Sequence, residues 1–240
     1  MLLSLYYYLA RFFRRLPKTT NVSFLDMTAR FFVPINNHYI CDDLIDISKQ
    51  QREPALYQWL NDLDDGAVLF DIGTSYGQES ALASSDKGIR VFGFDCSLYQ
   101  SHFCALNRRL NDDRFTFTFA AVGATSGELI TITTNSDTHI PSLHKKNVTY
   151  SYEVMTISLD DFARSNNVMP THIKIDVDGA ELDVLKGAER ILQSQSIQDV
   201  FIEIDHDNLA VIDLMTAHGF KTKWRIDKKH NTDILFSKSA

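Results

Sequence analysis

The sequence predicts an α/β fold, an open and mostly parallel sheet with helices on both faces. Three observations predict it. From Val68 onward, short apolar runs alternate with stretches of helical spacing, the pattern of repeated strand–helix–strand units. The runs are apolar enough for strands covered on both sides. Acids close or follow them, at Asp71, Asp95, Asp176 and Glu203 with Asp205. Those are the strand ends at which such sheets bind ligands.

The elements follow in order. Residues 19–65 carry helical patterning around Leu44 to Leu63, with a break at Pro54, and read as a helical extension. VLFDIG (68–73) leads into a helix to about Ser85, and IRVFGFD (89–95) into a helix from Leu98 to Asn111. FTFTFAAVG (115–123) precedes a polar, β-rich stretch from ITIT (130–133) to about Thr149. Then come VMTISLDDF (154–162), HIKIDVDG (172–179), a helix to Leu192, VFIEID (200–205) and a helix to His218. A pair near Lys221–Trp224 and Ile234–Ser237 closes the chain. The main domain is thus expected over 66–240.

Composition bounds the rest. The 240 residues are 44% hydrophobic and 23% charged, as in a soluble globular protein, which excludes disordered, collagen-like and disulfide-scaffold classes. Cys41, Cys96 and Cys104 form no Cys-x-x-Cys pair, so no structural zinc site is expected and a reducing, cytoplasmic compartment is. The net charge is −7, but residues 1–25 hold Arg11, Arg14, Arg15 and Lys18 and no acid, which leaves −11 on the rest. So acidic a body repels polyphosphate, and nucleic acid is not an expected partner.

The basic end needs its own account. Leu2, Leu5, Leu9, Phe12 and Leu16 fall on one helical face, with the four cations toward another and Pro17 as a stop. The apolar run before Arg11 is too short to span a bilayer, and the charges follow it, unlike a signal peptide. Residues 1–18 suit an anionic membrane surface, at the inner face of the membrane. The same stripe equally suits packing on the domain or on a second copy in a homodimer.

The loop Asp71-Ile-Gly-Thr-Ser-Tyr-Gly77 joins the first strong strand to a helix, and Asp95 closes the next strand. A carboxylate there can accept both hydroxyls of an adenosine ribose. An acid directly before the glycine loop favours a cationic ligand over a pyrophosphate. Gly73-Thr74-Ser75-Tyr76-Gly77 also matches the Gly-x-Ser-x-Gly nucleophile elbow, with Asp176 or Asp178 and then His206 in the order of a serine esterase. No His-Gly-Gly oxyanion loop precedes it, few strands lie upstream, and a triad leaves Asp71 and Asp95 unexplained. A phosphate loop and a Tyr-x-x-x-Lys pair are both absent from the sequence.

FDIGTSYG (70–77), FGFDCS (92–97), LNRRLN (106–111), SLDDF (158–162) and KIDVDGAELDVLKGA (174–188) occur in this order. Together they resemble the FkbM-type family of S-adenosylmethionine-dependent O-methyltransferases, over roughly 66–205. Phe94-Asp95-Cys96 stands where that family has Phe-Glu-Pro, and Asp178 where it has Glu; both keep the charge with a shorter reach. The resemblance implies a class I methyltransferase (Rossmann-like) fold with a seven-stranded sheet. It also implies methyl transfer from S-adenosylmethionine to a hydroxyl of a saccharide, glycolipid or lipid-linked saccharide. Asp71, Gly73, Thr74, Ser75 and Gly77 would face the methionine part, Asp95 the ribose, and Cys96, Ser97, Ala121 and Val122 the adenine side. A sugar hydroxyl is barely acidic, so a base or a metal is expected beside the cofactor. Asp176 and Asp178, with Glu203 and His206 from the next strand, are the candidates. Paired carboxylates there serve as a base with one raised pKa or as part of a magnesium site. A catalytically inactive binding module on the same fold is the remaining alternative.

Overall fold

The computed structural model describes residues 18–34, 37–85, 88–134, 150–206 and 208–238. The basic segment 1–17, and His139 and His144 of the polar stretch, lie outside these residues.

Twelve strands and eight helices are present among the described residues. Residues 19–65 are not helical throughout. They begin with an antiparallel hairpin, β1 (Thr19–Phe24) and β2 (Met27–Phe32), followed by α1 (His38–Ser48) and α2 (Pro54–Asn61). The reason is a period of two: Val22 and Phe24, then Met27, Ala29 and Phe31, alternate with polar residues and are buried. Asn37 caps α1 by accepting from the Ile40 amide, and Pro54 opens α2, where its missing N–H costs nothing.

From Val68 the alternation is that of the sequence. β3 (Val68–Ile72), α3 (Gln78–Ala83), β4 (Arg90–Asp95), α4 (Leu98–Leu110) and β5 (Phe115–Phe119) build one half of the sheet. β9 (His172–Ile175), α6 (Glu181–Lys186), α7 (Glu189–Gln193), β10 (Asp199–Asp205), α8 (Leu209–Ala217), β11 (Phe220–Asp227) and β12 (Asn231–Lys238) build the other. The seven strands lie in the order β5-β4-β3-β9-β10-β12-β11. β12 runs antiparallel to both of its neighbours, and the rest of the sheet is parallel. Strand order reverses between β3 and β9, so a crevice opens where their C-terminal ends diverge.

Side chains of alternate strand residues feed two cores. Leu69 and Phe201 join the hairpin, α1 and α2 on one face; Phe70, Ile72, Val200 and Ile202 join α5 (Leu159–Asn166) to α8 on the other. The run 154–162 divides at Ser158, whose hydroxyl caps α5 by accepting from the Asp161 amide. The helix expected up to Leu192 breaks at Gly187, where an added Cβ would stand 2.1 Å from the Gly123 carbonyl oxygen. The run 115–123 breaks at Ala120. Beyond it β6 (Ala121–Val122) leaves the main sheet and pairs with β8 (Tyr150–Ile157), which also pairs with β7 (Leu129–Thr134).

Two asparagines, Asn107 of α4 and Asn111 at its C-cap, fasten the hairpin to that helix. Asn111 Oδ1 accepts from the Arg30 amide at 2.9 Å, and Asn107 Oδ1 from the Phe32 amide at 2.7 Å. Asn107 Nδ2 also donates to the Tyr76 carbonyl at 2.8 Å. The open edge of β2 thereby finds partners, and the extension is tied directly to the loop after β3.

Candidate active site

A cleft of about 540 Å³ opens at the C-terminal ends of β3, β4 and β9. Its floor is the loop after β3. The Gly73 and Thr74 amides both donate to the Phe94 carbonyl, at 2.9 and 3.0 Å, which draws the loop over the end of β4. Gly73 has φ +77°, and an added Cβ would stand 1.8 Å from the Asp176 carbonyl oxygen. Only glycine lets the two central strand ends come this close.

Asp95 closes β4 and lines the cleft. Its Oδ2 accepts from the Ser75 amide at 2.8 Å and its Oδ1 from the Ser97 amide at 2.7 Å. Burial pushes its pKa up to about 6, against the pull of those two amides. Ser97, rather than Asp95, caps α4, by accepting from the Gln100 amide. Each Asp95 oxygen keeps a second acceptor direction for a ligand hydroxyl. Beside it, Cys96, Gln100, Ala120 and Val122 continue the wall.

The β9 side carries Asp176, Val177 and Asp178, all on the lining. The turn that presents them is set by Gly179, whose amide donates to the Val177 carbonyl at 2.8 Å and to Glu181 Oε1 at 2.9 Å. Glu181 is buried at the start of α6, and that burial raises its pKa to about 7. Lys174 Nζ approaches Asp176 Oδ2 at 3.3 Å from beneath.

The remaining wall comes from the extension: Asn37, Tyr39, Ile40 and Asp43 of α1 and its cap, and Arg52 before α2. None of these was expected from the sequence. Their motifs are too short to notice, and only the packing of α1 over the loop brings them here. Tyr76 and Gln78, in the loop after β3 and the first turn of α3, and Gln100, in the first turn of α4, also line the cleft and were not expected.

Several expected residues stand elsewhere. Asp71 is fully buried and does not line the cleft. It shares the face of Leu69 and lies opposite Lys174 in the β3–β9 register. Its carboxylate accepts from Thr74 Oγ1 at 2.7 Å and Ser80 Oγ at 2.6 Å, and pairs with Lys174 Nζ at 3.3 Å. Asp71 and Thr74 therefore hold the loop from below. Lys174 Nζ also reaches the Gly73 carbonyl at 3.1 Å, completing that support. Gly77 starts α3 with its back against Cys104, and Ser97 is buried in its cap. Ala121 turns into the small sheet, while Ala120 and Val122 face the cleft.

Glu203 and His206 do not line the cleft either. His206 is exposed, with Nδ1 3.0 Å from Thr232 Oγ1. Ser75 and His206 thus share no cleft, and no serine triad is assembled among the described residues. Glu203 belongs to a group that could hold a metal, with Glu53 and Asp233, their oxygens within 4.8 Å of one another. It is the only such group among the described residues. The space is taken by Lys228 Nζ, at 2.6 Å from Glu53, 2.8 Å from Glu203 and 2.8 Å from Asp233. These residues do not fit a magnesium ion, and the expected pairing of Glu203 with Asp176 is electrostatic only. Burial, with Asp176 nearby, raises the Glu203 pKa to about 7.

The arrangement can bind a hydroxylated, cationic ligand and remove a proton beside it. Among the described residues, Asp43, Asp95, Asp176 and Asp178 line the cleft against one lining cation, Arg52. Residues 71–222 match the model of the methyltransferase FkbM domain. The chain is 28% identical over 169 residues to the hexuronic acid methyltransferase AglP of Haloferax volcanii, over 68% of this chain and 67% of that protein. The precorrin-6y C5,15-methyltransferase of Geobacter metallireducens superposes with a TM-score of 0.50 at 14% identity, over 79% of this chain and 89% of that one. A protein of the NADB-Rossmann superfamily from Streptococcus agalactiae gives 0.50 at 12% identity, over 76% and 67%. These last two are likenesses of fold.

Proposed function

The chain belongs to the FkbM methyltransferase family, and from that premise we propose that it O-methylates a saccharide hydroxyl using S-adenosylmethionine. The observation that carries this reading is Asp95. It is a carboxylate at the end of the strand beside the glycine loop, fixed by two backbone amides and facing the cleft. The donor chemistry suits the cofactor: acceptor directions for two ribose hydroxyls, an acidic lining for a cation, and a Gly73 surface with no side chain.

S-adenosylmethionine supplies a methyl group on a sulfonium, open to in-line attack. Asp95 would hold the ribose, and Ser75, Cys96 and Gln100 would line the same side. Asp176 or Asp178 would take the proton of the attacking hydroxyl as the methyl bond forms, with Lys174 keeping Asp176 in place. The acidic lining favours the sulfonium electrostatically and loses that attraction once the sulfur is neutral, which helps turnover.

The printed name of the Haloferax relative supports a sugar as acceptor. The basic, apolar pattern of residues 1–18 supports a lipid-linked saccharide at an anionic membrane surface. No described helix is long and apolar enough to cross a membrane. Flotation with anionic vesicles, with and without residues 1–18, tests this part; equal flotation of both forms would remove its support.

Calorimetric titration with S-adenosylhomocysteine tests the core of the reading. The wild type should bind in the micromolar range, and Asp95→Ala should not. A wild type that fails to bind would end it. Transfer of labelled methyl to a panel of hexosides and hexuronides then identifies the acceptor.

A further inference from the structure

Arg52 precedes the family-matched region 71–222, and no motif of that region gives it a role. Among the described residues lining the cleft it is the sole cation, and the acids that act on it most strongly are Asp43, Glu53 and Glu79. Lys174 lies beneath the floor, buried, and is engaged by Asp71, Asp176 and the Gly73 carbonyl.

The guanidinium is held at one corner. Nη1 pairs with Asp43 Oδ1 at 2.7 Å, and Asp43 Oδ2 in turn lies 3.5 Å from the Tyr76 hydroxyl. Nε is enclosed in the protein, Nη1 is taken by Asp43, and Nη2 makes no bond among the described residues. Nη2 is not one of the enclosed atoms, so it is the corner of the guanidinium that a ligand can reach, and its N–H groups donate strongly to a carboxylate.

We propose that Arg52 is the carboxylate-binding residue of the cleft, with Asp43 orienting it so that Nη2 meets the ligand. The proposal rests on the methyltransferase reading above. Two sources offer a carboxylate: the amino-acid end of the cofactor, and a uronic acid acceptor.

Arg52→Lys keeps the charge and removes the planar guanidinium, and Arg52→Gln removes both. Each is titrated with S-adenosylhomocysteine and with 5′-methylthioadenosine, which lacks the amino-acid end. Each is then loaded with S-adenosylhomocysteine and titrated with methyl glucuronide and methyl glucoside. If the cofactor is the source, S-adenosylhomocysteine weakens about 10- to 100-fold while methylthioadenosine is unchanged. If the acceptor is the source, both nucleosides bind as before and only the glucuronide weakens by such a factor. Unchanged binding of all four probes overturns the proposal while leaving the methyltransferase reading intact. So does equal weakening of all four with a lowered Tm, which would make Arg52 a structural tie to Asp43. A wild type that binds neither nucleoside overturns the methyltransferase reading itself.

Discussion

Gly73 and Asp176 are packed so closely that the mutual approach of β3 and β9 leaves no space for a methyl group between them. A Cβ on Gly73 would meet the Asp176 carbonyl oxygen at 1.8 Å, and the φ of +77° is itself hostile to other residues. The contact joins the floor of the cleft to the wall that bears Asp176 and Asp178. Gly73→Ala should cost on the order of 3 kcal/mol, from backbone strain and overpacking together. It should also abolish S-adenosylhomocysteine binding. Chemical denaturation and calorimetry check both, and a variant of wild-type affinity would contradict this view of the crossing.

Asp95 should make cofactor affinity depend on pH. Burial raises its pKa from 3.8 to about 6, so the folded protein holds a proton that the unfolded chain has released. Its contribution to stability therefore falls as pH climbs through that window. Affinity moves the other way, because the ionised carboxylate is the better acceptor for two hydroxyls. Binding of S-adenosylhomocysteine should weaken by about tenfold per unit below pH 6 and level off above it. Asp95→Asn should bind more weakly with a flat profile over this range; an unaltered slope would assign the dependence to another group.

Asp176→Asn and Asp178→Asn should separate the base from its neighbour. The variant that loses the base should drop kcat by about 10²- to 10⁴-fold. S-adenosylhomocysteine affinity should stay within a few fold in both. His206→Ala should leave kcat unchanged, since that imidazole stands outside the cleft on Thr232. Full turnover in both aspartate variants would refute the assignment.

Lys228 does among Glu53, Glu203 and Asp233 what a cation would do. Lys228→Ala leaves three carboxylates within 4.8 Å with nothing to balance them. The loss should be about 3–5 kcal/mol, read as a fall in Tm. Millimolar calcium should recover part of it in the variant and have no effect on the wild type. A variant as stable as the wild type would mean that the cluster is relaxed by protonation instead.

The order of elements from Val68 onward and the acids at the strand ends are local properties, and the sequence carries them openly. Buried parallel strands must be apolar runs, and a ligand site at their ends must begin where the runs stop. Asp95, Asp176 and Asp178 were legible on those grounds, because the strands they close or follow, β4 and β9, end at the cleft. Asp71 was not, because its direction depends on the register that sets it beside Lys174 and on the face it shares with Leu69. The hairpin in 19–32 carried a period-two signal, and it becomes decisive only once Asn107 and Asn111 take up its edge. Arg52 and Asp43 reach the cleft through the packing of α1 over the loop, and Lys228 enters the carboxylate cluster through a contact 175 residues away, with Glu53. Local pattern therefore determined which fold and which strand ends. Only tertiary contact decided which charges face the ligand, because a buried charge goes where its partner is, and that partner lies elsewhere in the chain.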